Sequence, residues 1–165
     1  MTTFYGTYSG MVAYFAERGV TVTSLQADVE AKLVVASEWL DARYGGQFPG
    51  VKYLRREQLR DWPRTGAYDR NGDSISNTEI PREVEWATYQ ATKRELDVPG
   101  ALSKDVTPNK YRKASVSSAV AVEYNEFSNS VDAQTKFQII DEIMLPLLSG
   151  PYHINQSNLS GPASR

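Results

Sequence analysis

Four oxygen-bearing side chains raise the first question of chemistry. Asp69, Asn71, Asp73 and Asn77 fall at the first, third, fifth and ninth places of a calcium-binding loop. The pattern then breaks: glycine stands fourth, as Gly72, instead of sixth, and the twelfth place, which needs a bidentate glutamate, holds Ile80. Asn71-Gly72 is more simply a turn, because both residues tolerate positive φ. His153 is the only histidine, so neither a Ser-His-Asp arrangement nor an imidazole metal site can be assembled. Asp141-Glu142 lies on the polar side of a helical pattern, where acidic residues face solvent. The absence of cysteine removes thiolate metal sites, disulfides and a cysteine nucleophile together. No glycine-rich phosphate loop is present. The chain therefore reads as a protein without catalytic, metal-binding or cofactor-binding residues.

One run remains. Lys52, Arg55, Arg56, Arg60, Arg64 and Arg70 are interleaved with Tyr53, Trp62 and Tyr68, a composition that can track a phosphate backbone and stack bases. Glu57, Asp61 and Asp69 fall in the same run and halve its charge. A tryptophan is highly buried on average, so a structural loop anchored by Trp62 is the favoured reading of this stretch, with its arginines making salt bridges.

The elements that must position these residues follow from periodicity. At 165 residues with 41% apolar content, the chain fits one domain able to bury a core, and its net charge of -2 argues against a surface that coats nucleic acid everywhere. No apolar run approaches the ~20 residues of a membrane span, and no signal peptide is visible, which suits a cytoplasmic protein. A first helix is expected over 10–18, capped by Ser9, with Val12, Phe15 and Ala16 on one face. A second starts with a capping box of Thr23 and Gln26, carries Leu25, Val29, Leu33, Ala36, Leu40 and Tyr44 as its stripe, and stops at Gly45-Gly46. Its other face holds Asp28, Glu30, Lys32, Glu38 and Asp41, a solvated surface or a subunit contact.

Between residues 58 and 81 a long ordered loop must bridge helices. One or two helical turns are expected over 55–62, ending at Trp62 because a proline follows. Pro81 opens the third helix, which buries Val84, Ala87, Ala91 and Leu96 and closes at Pro99-Gly100. Residues 103–113 read as an exposed basic arm. Alternation from Val116 through Val120 and Val122 to Tyr124 indicates a strand, paired with an earlier segment or with a neighbouring subunit. A last helix, capped by Asp132, buries Phe137, Ile140, Met144 and Leu147 or Leu148 and ends near Pro146. The expected fold is mainly α: a small helical bundle with a long inter-helix loop, a β-strand or hairpin arm, and an extended tail. Residues 1–150 form the bundle, with 103–128 inserted before the last helix, and 151–165 form a tail that orders on a partner.

Tyr14-Phe15-Ala16-Glu17-Arg18-Gly19, Ala36 through Asp41 to Tyr44, Phe48-Pro49-Gly50, Gln58-Leu59 with Trp62-Pro63-Arg64-Thr65-Gly66-Ala67, and Ile80-Pro81 with Val84 and Ala87 together resemble a family of tailed-phage proteins. These are often labelled DnaT-like single-stranded-DNA-binding proteins, and they look like head–tail connector, or adaptor, subunits. The resemblance covers roughly the first hundred residues, and its most specific part is the Gln58, Trp62-Pro63-Arg64 and Ile80-Pro81 series. It implies a structural virion protein of the neck, made in the host cytoplasm and assembled, usually as twelve copies, into a ring. The partners it implies are the portal protein and a stopper or tail-completion protein, with packaged DNA passing through the ring. Under it, Trp62, Pro63, Arg64 and Pro81 anchor the loop. Arg60, Val120, Val122 and Tyr124 are expected at the subunit interface, and Tyr152, His153, Ile154 and Leu159 on the portal. A replication-type domain that binds single-stranded DNA through residues 52–70 is the alternative.

Overall fold

The computed structural model describes residues 3–103, 115–116, 120–121 and 137–148. Four α-helices are found among them: α1 (Tyr8–Ala16), α2 (Gln26–Tyr44), α3 (Arg82–Asp97) and α4 (Gln138–Met144), with only two-residue strands between. The architecture is mainly α. The chain divides into two units, residues 1–102 with 138–165, and residues 103–137.

In the first unit α3 packs against α1, α2 and α4. It can do so closely because its inward face is built from small residues: Val84, Ala87, Thr88, Ala91 and Thr92 are all buried without exposure. Thr88 satisfies its hydroxyl by donating to the Val84 carbonyl at 2.7 Å, which lets a polar residue sit in a helix contact. On α2 the stripe of Val29, Leu33, Ala36, Leu40 and Tyr44 is buried as its spacing demands, joined by Ser37. Leu25 departs from that stripe: it is the N-cap residue and 74% exposed. No side chain caps α2, so the Thr23–Gln26 capping box does not form.

The start of α1 also differs from expectation. The cap is Thr7, whose hydroxyl accepts from the Gly10 N–H at 3.0 Å, and the helix begins two residues before Gly10. The buried face is Met11, Tyr14 and Phe15, with Val12 half-buried and Ala16 exposed. These three pack with Val29, Leu33 and Tyr89 as one cluster. Tyr89 also sets the path of the chain into α1, because its hydroxyl accepts from the Thr7 N–H at 3.2 Å. A Cβ on Gly6 or Gly10 would lie 2.4 Å from that ring or its hydroxyl, so both positions need glycine for space.

The long loop is more ordered than its composition indicates. After a 3₁₀ turn at Gly45–Gln47, β1 (Val51–Lys52) pairs antiparallel with β2 (Arg64–Thr65), and β3 (Ala67–Tyr68) pairs with β4 (Ser74–Ile75). The helical turns expected over 55–62 shrink to a 3₁₀ turn at Arg55–Glu57, and the Trp62-Pro63 peptide is cis. Pro81 stands one place earlier than expected, as the N-cap residue of α3. α4 continues into a 3₁₀ turn at Leu145–Leu147 that contains Pro146, and Asp132 lies outside the described residues.

In the second unit β5 (Ser115–Val116) pairs antiparallel with β6 (Val120–Ala121). Of the strand expected from Val116 to Tyr124, Val116 and Val120 thus pair with each other's segments, and residues 122–124 lie outside the described residues.

At Gly50 the loop passes close to its own backbone. The φ of Gly50 is +67°, and a Cβ there would lie 2.4 Å from the Thr65 carbonyl oxygen. Gly50→Ala is expected to lower the unfolding free energy by about 2–3 kcal/mol, from backbone strain and that clash. Gly46→Ala, which meets nothing within 4 Å, should leave it near the wild-type value. Chemical denaturation of the two variants checks this.

Candidate functional site

Residues 45–65 enclose a buried polar network, and its centre is Arg64. Although only 7% exposed, its guanidinium has no shortage of acceptors. It donates to the backbone oxygens of Pro49 at 2.7 Å, Gly50 at 2.8 Å, Asp61 at 3.3 Å and Phe48 at 3.4 Å. A planar five-donor group can hold four carbonyls in one plane, and a lysine cannot. Burial lowers the Arg64 pKa, and the nearby carboxylates of Asp61 and Asp41 oppose the shift, so the cation is kept. The guanidinium also lies 5.8 Å above the Phe48 ring, which packs edge-on to Trp62 at 5.6 Å between centroids.

Trp62 is completely buried. Its indole Nε1 finds no hydrogen-bond partner among the described residues, so its contribution is packing. Its backbone N–H donates to the Tyr5 hydroxyl at 3.2 Å, and the Asp61 N–H donates to the same oxygen at 2.9 Å. The Tyr5 hydroxyl in turn donates to Asp41 at 2.5 Å. One phenol from the N-terminal segment therefore joins α2 to the loop. Gln58 braces the hairpin from inside: its amide nitrogen donates to the Arg60 and Pro63 carbonyls at 2.8 and 2.9 Å, and its oxygen accepts from the Leu54 N–H at 3.1 Å.

The expected loop anchors Trp62, Arg64 and Pro81 are buried, and Pro63 is half-buried. Arg60, expected at the subunit interface, is engaged within its own chain. It is 4% exposed, and it donates to the Thr3 carbonyl at 2.7 Å while pairing with Glu38 at 3.2 Å and Asp41 at 3.6 Å. It ties the N-terminal segment to α2 within the chain. Val120 stands in the short hairpin of the second unit. Val122, Tyr124, Tyr152, His153, Ile154 and Leu159 lie outside the described residues.

The loop's basic and aromatic residues thus divide into two sets. Arg60, Trp62 and Arg64 face inward, and Lys52 pairs with the buried Asp61 at 2.6 Å. Tyr53, Leu54, Arg55, Arg56 and Leu59 are exposed at the far end of the β1–β2 hairpin, as are Tyr68 and Arg70 farther on. An open cavity beside that hairpin is lined by Gly45, Val51, Lys52, Arg55, Arg56 and Arg64, with Asp61 in its wall.

The acidic turn holds no metal cluster among the described residues. The Asp69 carboxylate accepts from the Asn71 and Asp73 N–H groups at 2.8 and 2.9 Å, closing the turn between β3 and β4. No described helix is long and apolar enough to cross a membrane.

A family model described as "putative DnaT-like ssDNA binding protein" matches residues 4–163. The chain belongs to this family. No curated protein and no solved structure matches it. The family match extends beyond the first hundred residues to the final helix and the tail.

Sequence reasoning missed Tyr5, Asp41 and Gly45 as parts of this network. Tyr5 sits in an unpatterned N-terminal segment, Asp41 falls on the polar side of α2, and Gly45 reads as a helix stop. Gly45 has ordinary helical φ and is needed for space, since a Cβ there would lie 2.0 Å from Asp61 Oδ2.

Two outcomes test the network. Trp62→Ala should cost about 3–5 kcal/mol of stability by the cavity it leaves, read as a drop in thermal midpoint. Burial, with the charge of Asp61 adding to it, pushes the Asp41 carboxyl up to about 6 against hydrogen bonds from Tyr5 and the Asp61 N–H and the charge of Arg60. The folded chain then holds this proton more tightly than the unfolded one, whose carboxyl titrates near 3.8. The contribution of Asp41 to stability is therefore full below about pH 4 and is lost as pH rises through about 6. The stability of the wild type relative to Asp41→Asn should fall over that interval, and a pH-independent difference would contradict the assignment.

Proposed function

We propose that this chain is a structural subunit of a tailed-phage particle, a head–tail connector that assembles as a ring between the portal and the stopper or tail. What carries this reading is that the most specific residues of the resemblance lie inside: Gln58, Trp62 and Arg64 form the buried brace of a loop, and Pro81 is buried at the start of α3. A signature kept inside the molecule encodes a shape, as befits a protein whose work is assembly. Under this reading the protein is not an enzyme and takes no cofactor. The ring, with twelve subunits, seats on the portal through Tyr152, His153, Ile154 and Leu159, and packaged DNA passes through it without sequence-specific contacts. It acts in the virion after assembly in the host cytoplasm.

A second reading is single-stranded DNA binding, and the family description favours it more directly than the connector. Its residues would be the exposed set: Tyr53, Arg55 and Arg56 at the hairpin tip, with Tyr68 and Arg70 farther along the chain. Arg55, Arg56 and Arg70 make no ion pair with another described residue, so they are available to phosphates. Trp62, Arg60 and Arg64 cannot take part, because they are buried.

Electron microscopy of the protein mixed with the portal of its phage, alongside binding to a labelled single strand at two salt concentrations, separates the two. The connector reading expects rings seated on the portal and negligible DNA binding. A chain that ignores the portal and binds DNA, with a log–log salt slope of about -0.7 per phosphate contact, overturns it in favour of the second reading. Arg56→Ala should then reduce that slope by about one contact.

A further inference from the structure

We infer that the tip of the β1–β2 hairpin, Tyr53 to Arg56, is a plug that docks in an acidic, apolar-walled groove on a second copy of this chain. The inference deepens the ring reading and rests on it for the closure of the assembly, while the contact itself is argued from the two surfaces.

The plug side has an unusual composition for a loop end. Val51, Tyr53, Leu54 and Leu59 are 42%, 46%, 48% and 56% exposed, four large apolar side chains within nine residues. Singly exposed apolar residues are ordinary, but a concentration on one short hairpin marks a contact surface. The cations of the tip are Arg55 and Arg56, since Lys52 is engaged with Asp61. Arg55 has φ of +54°, a left-handed conformation that costs a non-glycine residue of order 1–3 kcal/mol. Gln58 holds that shape from inside, so the tip is presented as a fixed form.

The groove lies between the β3–β4 hairpin, the first turn of α3 and the turn after α4, and encloses about 390 Å³. The Arg70 N–H donates to the Pro146 carbonyl at 2.8 Å and joins two of its walls. Its apolar lining is Ile75, Ile80, Pro81, Pro146 and Leu147, and its acids are Asp69, Asp73, Glu79, Glu83 and Glu85, against a single cation, Arg82. Arg82 is already paired with Glu83 at 3.2 Å. Glu85 has no ion pair among the described residues, and burial alone raises its pKa, so an incoming cation would relieve it.

Charge and polarity match between these two surfaces: apolar side chains flanked by two free arginines on one, an apolar wall rimmed by five acids on the other. The tip is exposed in its own chain, so it does not fill its own chain's groove. Two different surfaces per subunit make a heterologous contact, which closes into a ring when its rotation permits.

The test uses charge-reversed full-length variants, R55E/R56E at the tip and E79R/E83R in the groove, with mass measured by light scattering across concentration. Wild type should self-associate beyond a monomer, each variant alone should do so about tenfold or more weakly, and the two variants mixed should associate again. Arg55→Gly, which suits the positive φ, should fold as well as wild type and still weaken association. A wild type that stays monomeric, or association unmoved by either reversal, overturns the plug. Self-association by this route in a protein that does not bind the portal would keep the plug and overturn the connector reading.

Discussion

A buried guanidinium surrounded by backbone carbonyls governs this molecule. Arg64 gathers the oxygens of Phe48, Pro49, Gly50 and Asp61, which come from segments more than ten residues apart in sequence. Burying a cation is costly unless each donor finds an acceptor, and carbonyls buried without donors are costly too. Each satisfies the other here, so the loop can be compact without a helix or a broad sheet. Trp62 fills the space beneath, and the Tyr5 hydroxyl receives the two N–H groups that its burial would otherwise leave unpaired.

That constraint decides what the surface can offer. With Arg60, Trp62 and Arg64 committed inside, the basic-aromatic run is not a continuous phosphate track. Its outward remainder is the β1–β2 hairpin tip, with two unpaired arginines among apolar side chains, and Tyr68 and Arg70 farther on. Such a surface can take an acidic, apolar-walled partner or a phosphate chain, and the family description and the resemblance to neck proteins point to different choices between these. The rest of the described molecule is a helical scaffold whose close α2–α3 contact depends on small residues.

Much of the scaffold was legible because helical periodicity reports burial directly. Val29, Leu33, Ala36, Leu40 and Tyr44 on α2, and Val84, Ala87 and Ala91 on α3, are buried as their spacing requires. Helix starts were read less well. Thr7 rather than Ser9 caps α1, because Tyr89 holds the preceding chain in place, and α2 starts without the expected box. Thr88, Thr92 and Glu95 are buried against the usual trend for their types. Glu95 sits there because the Gly100 and Leu102 N–H groups and Lys32 outweigh the cost of burial and lower its pKa.

By itself the sequence determined the helical class, the burial of the main stripes, the absence of thiol chemistry and the prominence of the loop around Trp62. Those properties follow from composition and from periods of a few residues. Only the tertiary structure decided which arginines point inward, that Asp41 belongs to a buried network, that Gly45 and Gly46 differ in purpose, and that Arg55 and Arg56 stand exposed beside apolar side chains at one hairpin tip. Each of these depends on groups brought together from distant parts of the chain, such as Tyr5 with Asp61 and Arg60 with Thr3. No local pattern encodes such pairs, because their energies exist only once the chain has folded around them.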